Sequence, residues 1–432
     1  MNSIKVFALS VLVWLVGLSG FAQTEFADRL KALPGISDVR KLESSRFKEK
    51  YVMKIQQFVD GDNADKGVFS ERIFVGFRGY DRPTVIVTEG YEAGYAMNPN
   101  YEVELTRLFD ANIVVCEYRY FAESIPQPCN WDYLTVANSL RDLHNVRTTI
   151  GKVLDGKWIS TGVSKGGQTT TFYRAYYPDD VDVSVSYVGP LNKSVEDGRH
   201  EIFLGKQVGT KEARAKVLAT QQEFLKRKER LLPMFIEYSN KHNYKYYLPV
   251  EEIYDYDVLE YSFALWQYGT NVEYRLPKPE DSDSAYFYNL VSVSSPDYFA
   301  YPSQYLSFDV QAARELGYYG YSTKGLKKYM TVKNTKGYLN KIMLPPSLRN
   351  IKFDNTLYKH TVKFLKKEDP THIFIYGADD PWSASGVAGW LDCSRKENMR
   401  VYVQPSGNHG SCIMTMPEKD EIIQRITNWL KG

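Results

Sequence analysis

The stretch that decides the fold is KWISTGVSKGGQTTTFYRAYYPDD, residues 157–180. Its first five residues suit a short buried strand, a sharp glycine-flanked turn follows, and residues 168–177 suit a helix. A strand, a tight turn with a serine at its apex and a helix together form a nucleophile elbow. A side chain at Gly162 or Gly166 would collide with the neighbouring strand or helix. We therefore predict that Ser164 is a nucleophile whose hydroxyl stands clear of a sheet.

The elbow also predicts an oxyanion site. The backbone N–H of Lys165 opens the helix and is free to bind an oxyanion. The loop that follows the strand TVIVT, residues 84–88, should supply a second N–H, and we assign it to Tyr91. The ammonium of Lys165 is unfavourable at a helix N-terminus, so it is either solvated or paired with a nearby carboxylate that braces the site.

The composition bounds the architecture and the class of partner. A chain of 432 residues exceeds the usual size of one core, so two structural units are expected. The net charge is only +2, which argues against nucleic acid or an acidic polymer as a partner. Many of the 34 tyrosines lie in the middle third, and tyrosine suits clefts and lids that are half buried and half wet.

The N-terminus resembles a secretory signal peptide. Lys5 precedes an apolar run at residues 6–18, and Ser19-Gly20-Phe21-Ala22 supplies small residues for cleavage. We predict that residues 1–22 are removed and that the protein is secreted or periplasmic. An uncleaved anchor is the alternative, whereas after cleavage no stable membrane association is expected.

The remaining chain alternates strands with helices, which predicts a mostly parallel α/β sheet. Residues 51–59 and 68–77 are interpreted as an antiparallel pair at one edge. Residues 193–368 are rich in Lys, Glu and Tyr, lack apolar strand runs and are predicted to form an inserted, mainly helical lid. The predicted core is then residues 23–192 and 369–432. Further strands are expected at residues 112–116, 181–188, 371–376 and 400–404.

Two partners for Ser164 follow later strands. Asp379 and Asp380 come directly after the strand at residues 371–376, and His409 lies in a glycine-flanked loop after the last strand. Serine, acid and histidine in this order, each after a strand, predict a catalytic triad. Such a triad requires no metal and no organic cofactor.

Several motifs together resemble the secreted tripeptidyl-aminopeptidase family of serine peptidases. They are GVSKGG, EYRYFAES, GADDPW and GNHGS, and the resemblance covers residues 70–430. Residues 260–267 and 311–319 resemble lid segments of the same group. More distant relatives are prolyl carboxypeptidase and dipeptidyl peptidase II, which carry an aromatic residue where this chain has Lys165.

The resemblance implies an α/β-hydrolase core, a helical lid and removal of short peptides, tripeptides above all, from a free N-terminus. In the distant relatives the triad acid directly precedes Pro-Trp. That position is Asp380 here, so it is preferred to Asp379. Peptides are thus the expected partners, with no nucleic acid and no metal.

An exopeptidase that counts from the N-terminus needs a shielded carboxylate to hold the substrate ammonium. Three glutamates are candidates for this contact. Glu89 ends the strand before the oxyanion loop, Glu123 follows the next strand, and Glu315 lies among tyrosines in the predicted lid. We favour Glu315, because a lid residue can stand several residues away from the elbow.

The four cysteines suggest disulfides, since an even number in an exported chain permits them. Three pairings are possible, and we expect the local one, Cys116 with Cys129 and Cys393 with Cys412. Four reduced thiols are the alternative.

Two other functions fit the same motifs. A secreted esterase or lipase would use the same triad, although its lid would usually present aliphatic side chains. A hydrolase-fold binding protein that has lost catalysis is the second alternative, and the intact Ser, Asp and His argue against it.

Overall fold

The computed structural model describes residues 24–432, so the predicted signal peptide lies outside the described residues. Nine strands of the described chain form one sheet. The strands are β1 Ile36–Leu42, β2 Glu49–Phe58, β3 Val68–Phe77, β4 Thr84–Val87, β5 Asn112–Cys116, β6 Trp158–Val163, β7 Val183–Tyr187, β8 His372–Gly377 and β9 Met399–Gln404. Their order across the sheet is β1-β2-β3-β5-β4-β6-β7-β8-β9.

The described part of the chain also contains twelve α-helices. They are α1 Glu25–Lys31, α2 Glu104–Leu108, α3 Val136–Ile150, α4 Lys165–Tyr176, α5 Arg199–Ile202, α6 Lys211–Lys226, α7 Lys228–Lys241, α8 Val250–Tyr268, α9 Asp283–Val293, α10 Leu306–Gln311, α11 Thr356–Lys367 and α12 Lys419–Lys431. Over residues 24–432, none of the helices combines the length and the hydropathy that a bilayer crossing requires.

Strands β5, β4, β6, β7, β8 and β9 pair in parallel, whereas β1, β2 and β3 are antiparallel and β3 joins the parallel part through β5. This arrangement confirms the predicted α/β-hydrolase fold with a mostly parallel sheet. The prediction that β2 and β3 form the edge is wrong, because β1 pairs with β2 outside them. The sequence hides β1, since its residues show no alternation of buried and exposed side chains and its register shifts between Ser37 and Arg40.

Apolar side chains cover both faces of the sheet, as expected for parallel strands. In β5, Val114 and Cys116 contact the cluster on one face, whereas Ile113 and Val115 contact the cluster on the other. Helix α3 contributes to the first face and α12 to the second. The sheet is therefore a rigid base whose strand ends can hold a site.

Between β7 and β8 the chain contains helices and no strand over residues 188–371, all of which are described. This segment has an aromatic core, and side chains from loops of the sheet also pack into that core. The rings of Phe263 and Tyr319 stack with centroids 3.8 Å apart, and Trp382, which follows β8, meets Phe263 edge-on at 5.0 Å. We call this segment the lid, and the division at residues 193 and 368 stays a prediction.

The elbow forms between β6 and α4, as the sequence predicts. Ser164 has φ +58° and ψ −121°, a left-handed conformation that is strained for a residue with a side chain. A Cβ on Gly162 would collide with the backbone of Gly166, and a Cβ on Gly167 would collide with the carbonyl oxygen of Tyr187. The expected collision of a Gly166 side chain is not found, because a Cβ there would lie 3.5 Å from the Glu89 backbone. The second required glycine is therefore Gly167.

The disulfide prediction is wrong, because all four cysteines are free. Cys116 is buried within β5, whereas Cys129 is exposed in a loop. Cys393 contacts the apolar cluster on one face of the sheet and Cys412 the cluster on the other, so the sheet separates these two thiols. Closeness along the chain is thus a poor guide to pairing here.

The two adjacent glycines of α4 provide a matched test of the elbow. We expect Gly167→Ala to lower the free energy of unfolding by about 1–3 kcal/mol, because α4 must move away from β7. Gly166→Ala has room for its methyl group and should change this free energy by less than about 1 kcal/mol. Urea denaturation measures both, and equal losses would contradict the proposed close approach.

The cysteine assignment predicts that four thiols titrate in the unfolded, unreduced protein. In the folded protein Cys129 should react first with a thiol reagent, because it is exposed. Cys116 should stay unreactive, since burial raises the pKa of its thiol well above the ordinary value. Peptide mapping after brief labelling checks the order, and fewer than four thiols after unfolding would contradict it.

Candidate active site

Three loops at the carboxyl edge of the sheet carry the predicted triad residues. Ser164 follows β6, Asp380 follows β8 and His409 lies beyond β9. Ser164 and His409 both line a cavity of about 610 Å³ between the sheet and the lid, which we call the lid cavity. Ligands of open α/β sheets bind at this edge, so the site lies where the fold favours one.

Asp380 and His409 form a buried pair. The Nδ1 of His409 lies 2.9 Å from Oδ2 of Asp380, and both side chains are almost fully buried. The same carboxylate accepts the N–H of Trp382 at 3.0 Å and the hydroxyl of Ser383 at 3.1 Å, so its position is fixed. Asp379 instead accepts the N–H of Gly209 at 3.1 Å. Of the two adjacent acids, Asp380 is therefore the one that orients the imidazole.

Two hydrogen bonds connect the lid to the loop that contains His409. The backbone N–H of His409 donates to the carbonyl of Gln267 at 2.9 Å, and Asn408 donates to the carbonyl of Tyr268 at 3.1 Å. The Nε2 of His409 is buried and has no hydrogen-bond partner among residues 24–432. With Nδ1 on Asp380, the imidazole thus presents Nε2 as the nitrogen available for proton transfer with Ser164.

Of the two N–H groups predicted to bind the oxyanion, that of Lys165 is free within its helix, whereas that of Tyr91 faces a carboxylate. Lys165 is the first residue of α4, so its backbone N–H has no acceptor within the helix. The ring of Tyr91 lines the lid cavity. The N–H groups of Gly90 and Tyr91, however, face the Glu89 carboxylate and oppose the rise that burial causes in its pKa. The Gly90 N–H donates to Glu89 Oε1 at 3.1 Å, and the Tyr91 N–H is oriented towards the same carboxylate.

The Lys165 side chain matches neither of the two expectations. It is 2% exposed, and its ammonium donates to the carbonyl oxygen of Gly90 rather than to a carboxylate. The ammonium lies 3.8 Å from the centre of the Tyr118 ring and 5.0 Å from that of Phe121. Burial lowers the pKa of this amine well below its ordinary value. Lys165 thus attaches the loop after β4 to the first turn of α4.

None of the three glutamates predicted to hold the substrate ammonium lines the lid cavity. Glu315, the favoured candidate, accepts the Val136 N–H at 2.6 Å and so caps helix α3. Glu123 is exposed and pairs with Arg72 at 2.8 Å. Glu89 accepts the hydroxyl of Tyr95. Glu315 therefore does not fit the predicted role, because its carboxylate binds the start of α3 and does not line the lid cavity.

Three other carboxylates do line the lid cavity, and the sequence analysis missed them. They are Glu260, Asp297 and Asp309. Glu260 shares the cavity wall with Ala264, Gln267 and Tyr268, which follow it at helical spacings of four, seven and eight residues along α8. This spacing could have indicated one inward face, but only contact with the sheet shows which face it is.

Glu260 is the best-supported carboxylate in the cavity. It is 6% exposed, and the hydroxyls of Tyr319 and Tyr321 both donate to its Oε2, at 2.8 and 2.6 Å. Burial raises its pKa to about 7, and the two hydroxyls oppose the rise. Asp309 is also buried, and its carboxylate accepts a hydroxyl from Ser303 at 3.4 Å. Both tyrosine hydroxyls thus converge on the same oxygen, Oε2, of Glu260.

Solved structures with a similar fold include proline iminopeptidase of Mycobacterium smegmatis. It is 12% identical and covers 91% of this chain and 99% of its own, with a TM-score of 0.42. VinJ is 11% identical and covers 91% of this chain and 98% of its own, with a TM-score of 0.40. The fold assignment itself rests on the strand order and pairing described above.

Similarity in sequence is more informative. Prolyl tri/tetrapeptidyl aminopeptidase of Streptomyces mobaraensis is 28% identical over 420 residues, which cover 94% of this chain and 85% of that protein. A family model described as PS-10 peptidase S37 matches residues 22–431. Both findings confirm the resemblance that the motifs indicate, to serine peptidases of the aminopeptidase type. The chain belongs to the PS-10 peptidase S37 family.

Proposed function

We propose that this protein is a secreted or periplasmic serine exopeptidase that releases short peptides, tripeptides above all, from free N-termini. The observation that carries the proposal is the lid cavity, which has Ser164 and His409 in its wall and buried carboxylates in the same wall. A cavity with a nucleophile and a shielded negative charge suits a short chain that begins with an ammonium group. The relative's name supports the same substrate class.

The proposed mechanism uses groups at the carboxyl edge of the sheet. Ser164 attacks the scissile carbonyl while His409 Nε2 takes its proton and passes it to the leaving amine. Asp380 holds Nδ1 and stabilises the imidazolium. The Lys165 N–H binds the oxyanion, and the Tyr91 N–H joins it once it leaves Glu89. Water then releases the peptide from Ser164 by the reverse proton transfers.

We further propose that Glu260 replaces Glu315 as the group that binds the substrate ammonium. Its Oε2 is fixed by two tyrosine hydroxyls, which orient the carboxylate before substrate arrives. Its burial would make a charge-assisted hydrogen bond with an ammonium strong. Asp297 is exposed at the cavity wall and Asp309 has one long hydrogen bond, so neither is oriented as well.

The cavity favours a peptidase over an esterase or lipase. Tyrosines and carboxylates supply much of its wall, including Tyr298, Tyr318 and Tyr319. The hydroxyl of Tyr298 lies 2.9 Å from that of Tyr319, so the wall contains hydrogen-bonded polar groups as well as rings. An esterase lid would offer aliphatic side chains instead, and a binding protein would not need the Asp380–His409 pair.

The two adjacent acids provide a matched test of the triad. Asp380→Asn should lower kcat by roughly four orders of magnitude, because the amide would stabilise the wrong imidazole tautomer. Asp379→Asn keeps an oxygen for the Gly209 N–H and should lower kcat less than about tenfold. Steady-state hydrolysis of a tripeptidyl p-nitroanilide measures both, and the opposite order would assign the acid to Asp379.

The role of Glu260 predicts a loss that depends on the substrate's N-terminus. Glu260→Gln should lower kcat/KM for free-amine tripeptidyl substrates by roughly a hundredfold, but hardly affect the N-acetylated counterparts. Glu315→Gln is the control, since its carboxylate faces α3, and it should affect both substrates alike. Equal losses on both substrates in Glu260→Gln would show that this residue only supports the lid.

The raised pKa of Glu260 adds a pH dependence with a definite sign. A carboxyl group is neutral below its pKa, so ammonium binding should weaken as the pH falls through about 7. The ratio of kcat/KM for free-amine to acetylated substrate should therefore fall below that pH, and this ratio cancels the titration of His409. A ratio that stays constant from pH 8 to pH 5 would contradict the assignment.

A further inference from the structure

A second cavity of about 450 Å³ at the same edge of the sheet also has His409 in its wall. We call it the exit cavity. Val163 and His409 line both cavities, whereas Ser164 lines the lid cavity alone. The rest of its wall includes Glu89, Tyr95, Tyr101, Val103, Tyr187 and Cys412.

The position of the exit cavity suits the part of the peptide that departs after cleavage. The part of the substrate that stays on Ser164 lies in the lid cavity, so the part that departs must extend past the other side of His409. The departing amine receives its proton from this histidine and is therefore adjacent to it. The first residue after the scissile bond then lies next to Val163, whose side chain is 58% exposed between the two cavities.

The chemistry of the wall defines what fits. Aromatic and aliphatic side chains supply most of it, and among the described residues none that lines it is Lys or Arg. Two carboxylates are present, but both are used within the protein. Glu104 accepts the hydroxyl of Tyr187 at 2.8 Å and the N–H groups of Ile413 and Met414 at 3.0 and 2.8 Å. Glu89 accepts the Tyr95 hydroxyl and the Gly90 N–H.

We propose that the exit cavity binds the side chain of the first residue after the scissile bond, that it prefers aliphatic and aromatic side chains and that it rejects acidic ones. Burial of apolar surface favours aliphatic and aromatic side chains. The carboxylate of Glu104 disfavours acidic side chains, because no Lys or Arg lines the described wall of this cavity. The inference rests on the proposed function, since it needs an acyl-enzyme on Ser164.

Capture of the acyl-enzyme by an added amine tests this cavity apart from acylation. Ala-Ala-Pro methyl ester acylates Ser164 and releases methanol, which is too small to need the cavity. The nitrogen of an amino acid amide then attacks the acyl carbon. His409 takes a proton from that nitrogen and gives it to the departing Ser164 oxygen, which yields a tetrapeptide amide. Chromatography measures the ratio of tetrapeptide amide to hydrolysed tripeptide.

With leucine, phenylalanine, glycine and aspartate amides at equal concentration, leucine and phenylalanine amides should capture at least tenfold more acyl-enzyme than aspartate amide. Val103→Trp fills the cavity and should lower the leucine-to-glycine capture ratio about tenfold. Tyr101→Ala removes one wall and should lower the same ratio. Val68→Trp, at an exposed position of β3, is the matched control and should leave the ratio and the rate of ester hydrolysis unchanged.

The outcomes are distinguishable. Equal capture of all four amides by the unmodified protein, or an unchanged ratio in both Val103→Trp and Tyr101→Ala, would overturn the exit-cavity assignment while the peptidase stands. If the unmodified protein hydrolyses neither the ester nor free-amine tripeptidyl substrates, the proposed function fails, and the assignment fails with it.

Discussion

The site depends on the close approach of helix α4 to strands β6 and β7. Because Gly162 meets the backbone of Gly166 and Gly167 meets the carbonyl of Tyr187, the chain can turn only through a strained Ser164. That turn places the Ser164 hydroxyl next to the start of α4. It also brings the Lys165 side chain into contact with the loop after β4. A buried ammonium is costly, yet here aromatic rings and a carbonyl surround it, so two loops of the site are joined by one side chain.

The lid adds the second constraint. Its longest helix, α8, holds the His409 loop through the carbonyl of Gln267 and supplies Glu260 to the cavity wall. A single helix thus links the imidazole to the proposed ammonium site. Under this proposal, the packing of the lid on the sheet sets the distance that a substrate must span from its N-terminus to Ser164. Aromatic contacts such as Phe263 with Trp382 fix that packing. His409, which lines both cavities, would divide the retained peptide from the departing one.

The sequence predicts the fold, Ser164 and His409 from local patterns in which a strand is followed by a turn of small residues. The preference for Asp380 over Asp379 rests instead on the resemblance to relatives whose acid directly precedes Pro-Trp. Which carboxylates line the cavity depends instead on how distant lid segments pack together. Helical spacing groups residues on one face of α8, but it does not show which face points to the cavity. Glu315 shows the same limit, since it lies among tyrosines in sequence yet contacts α3. Strand β1 has no regular alternation of buried and exposed residues, so its sequence does not indicate a strand. Cys393 and Cys412 are close in sequence but lie on opposite faces of the sheet, which their spacing does not reveal.

The central claim is that Ser164 attacks peptides whose free N-terminus is held in the lid cavity. The most direct measurement is the rate at which a tripeptidyl phosphonate with a free amine modifies the protein, compared with its N-acetylated counterpart, with the adduct located by mass spectrometry. We expect one adduct, on Ser164, formed at least tenfold faster by the free amine, since a buried charge contact is lost on acetylation. An adduct on another residue, or equal rates for the two reagents, would contradict it.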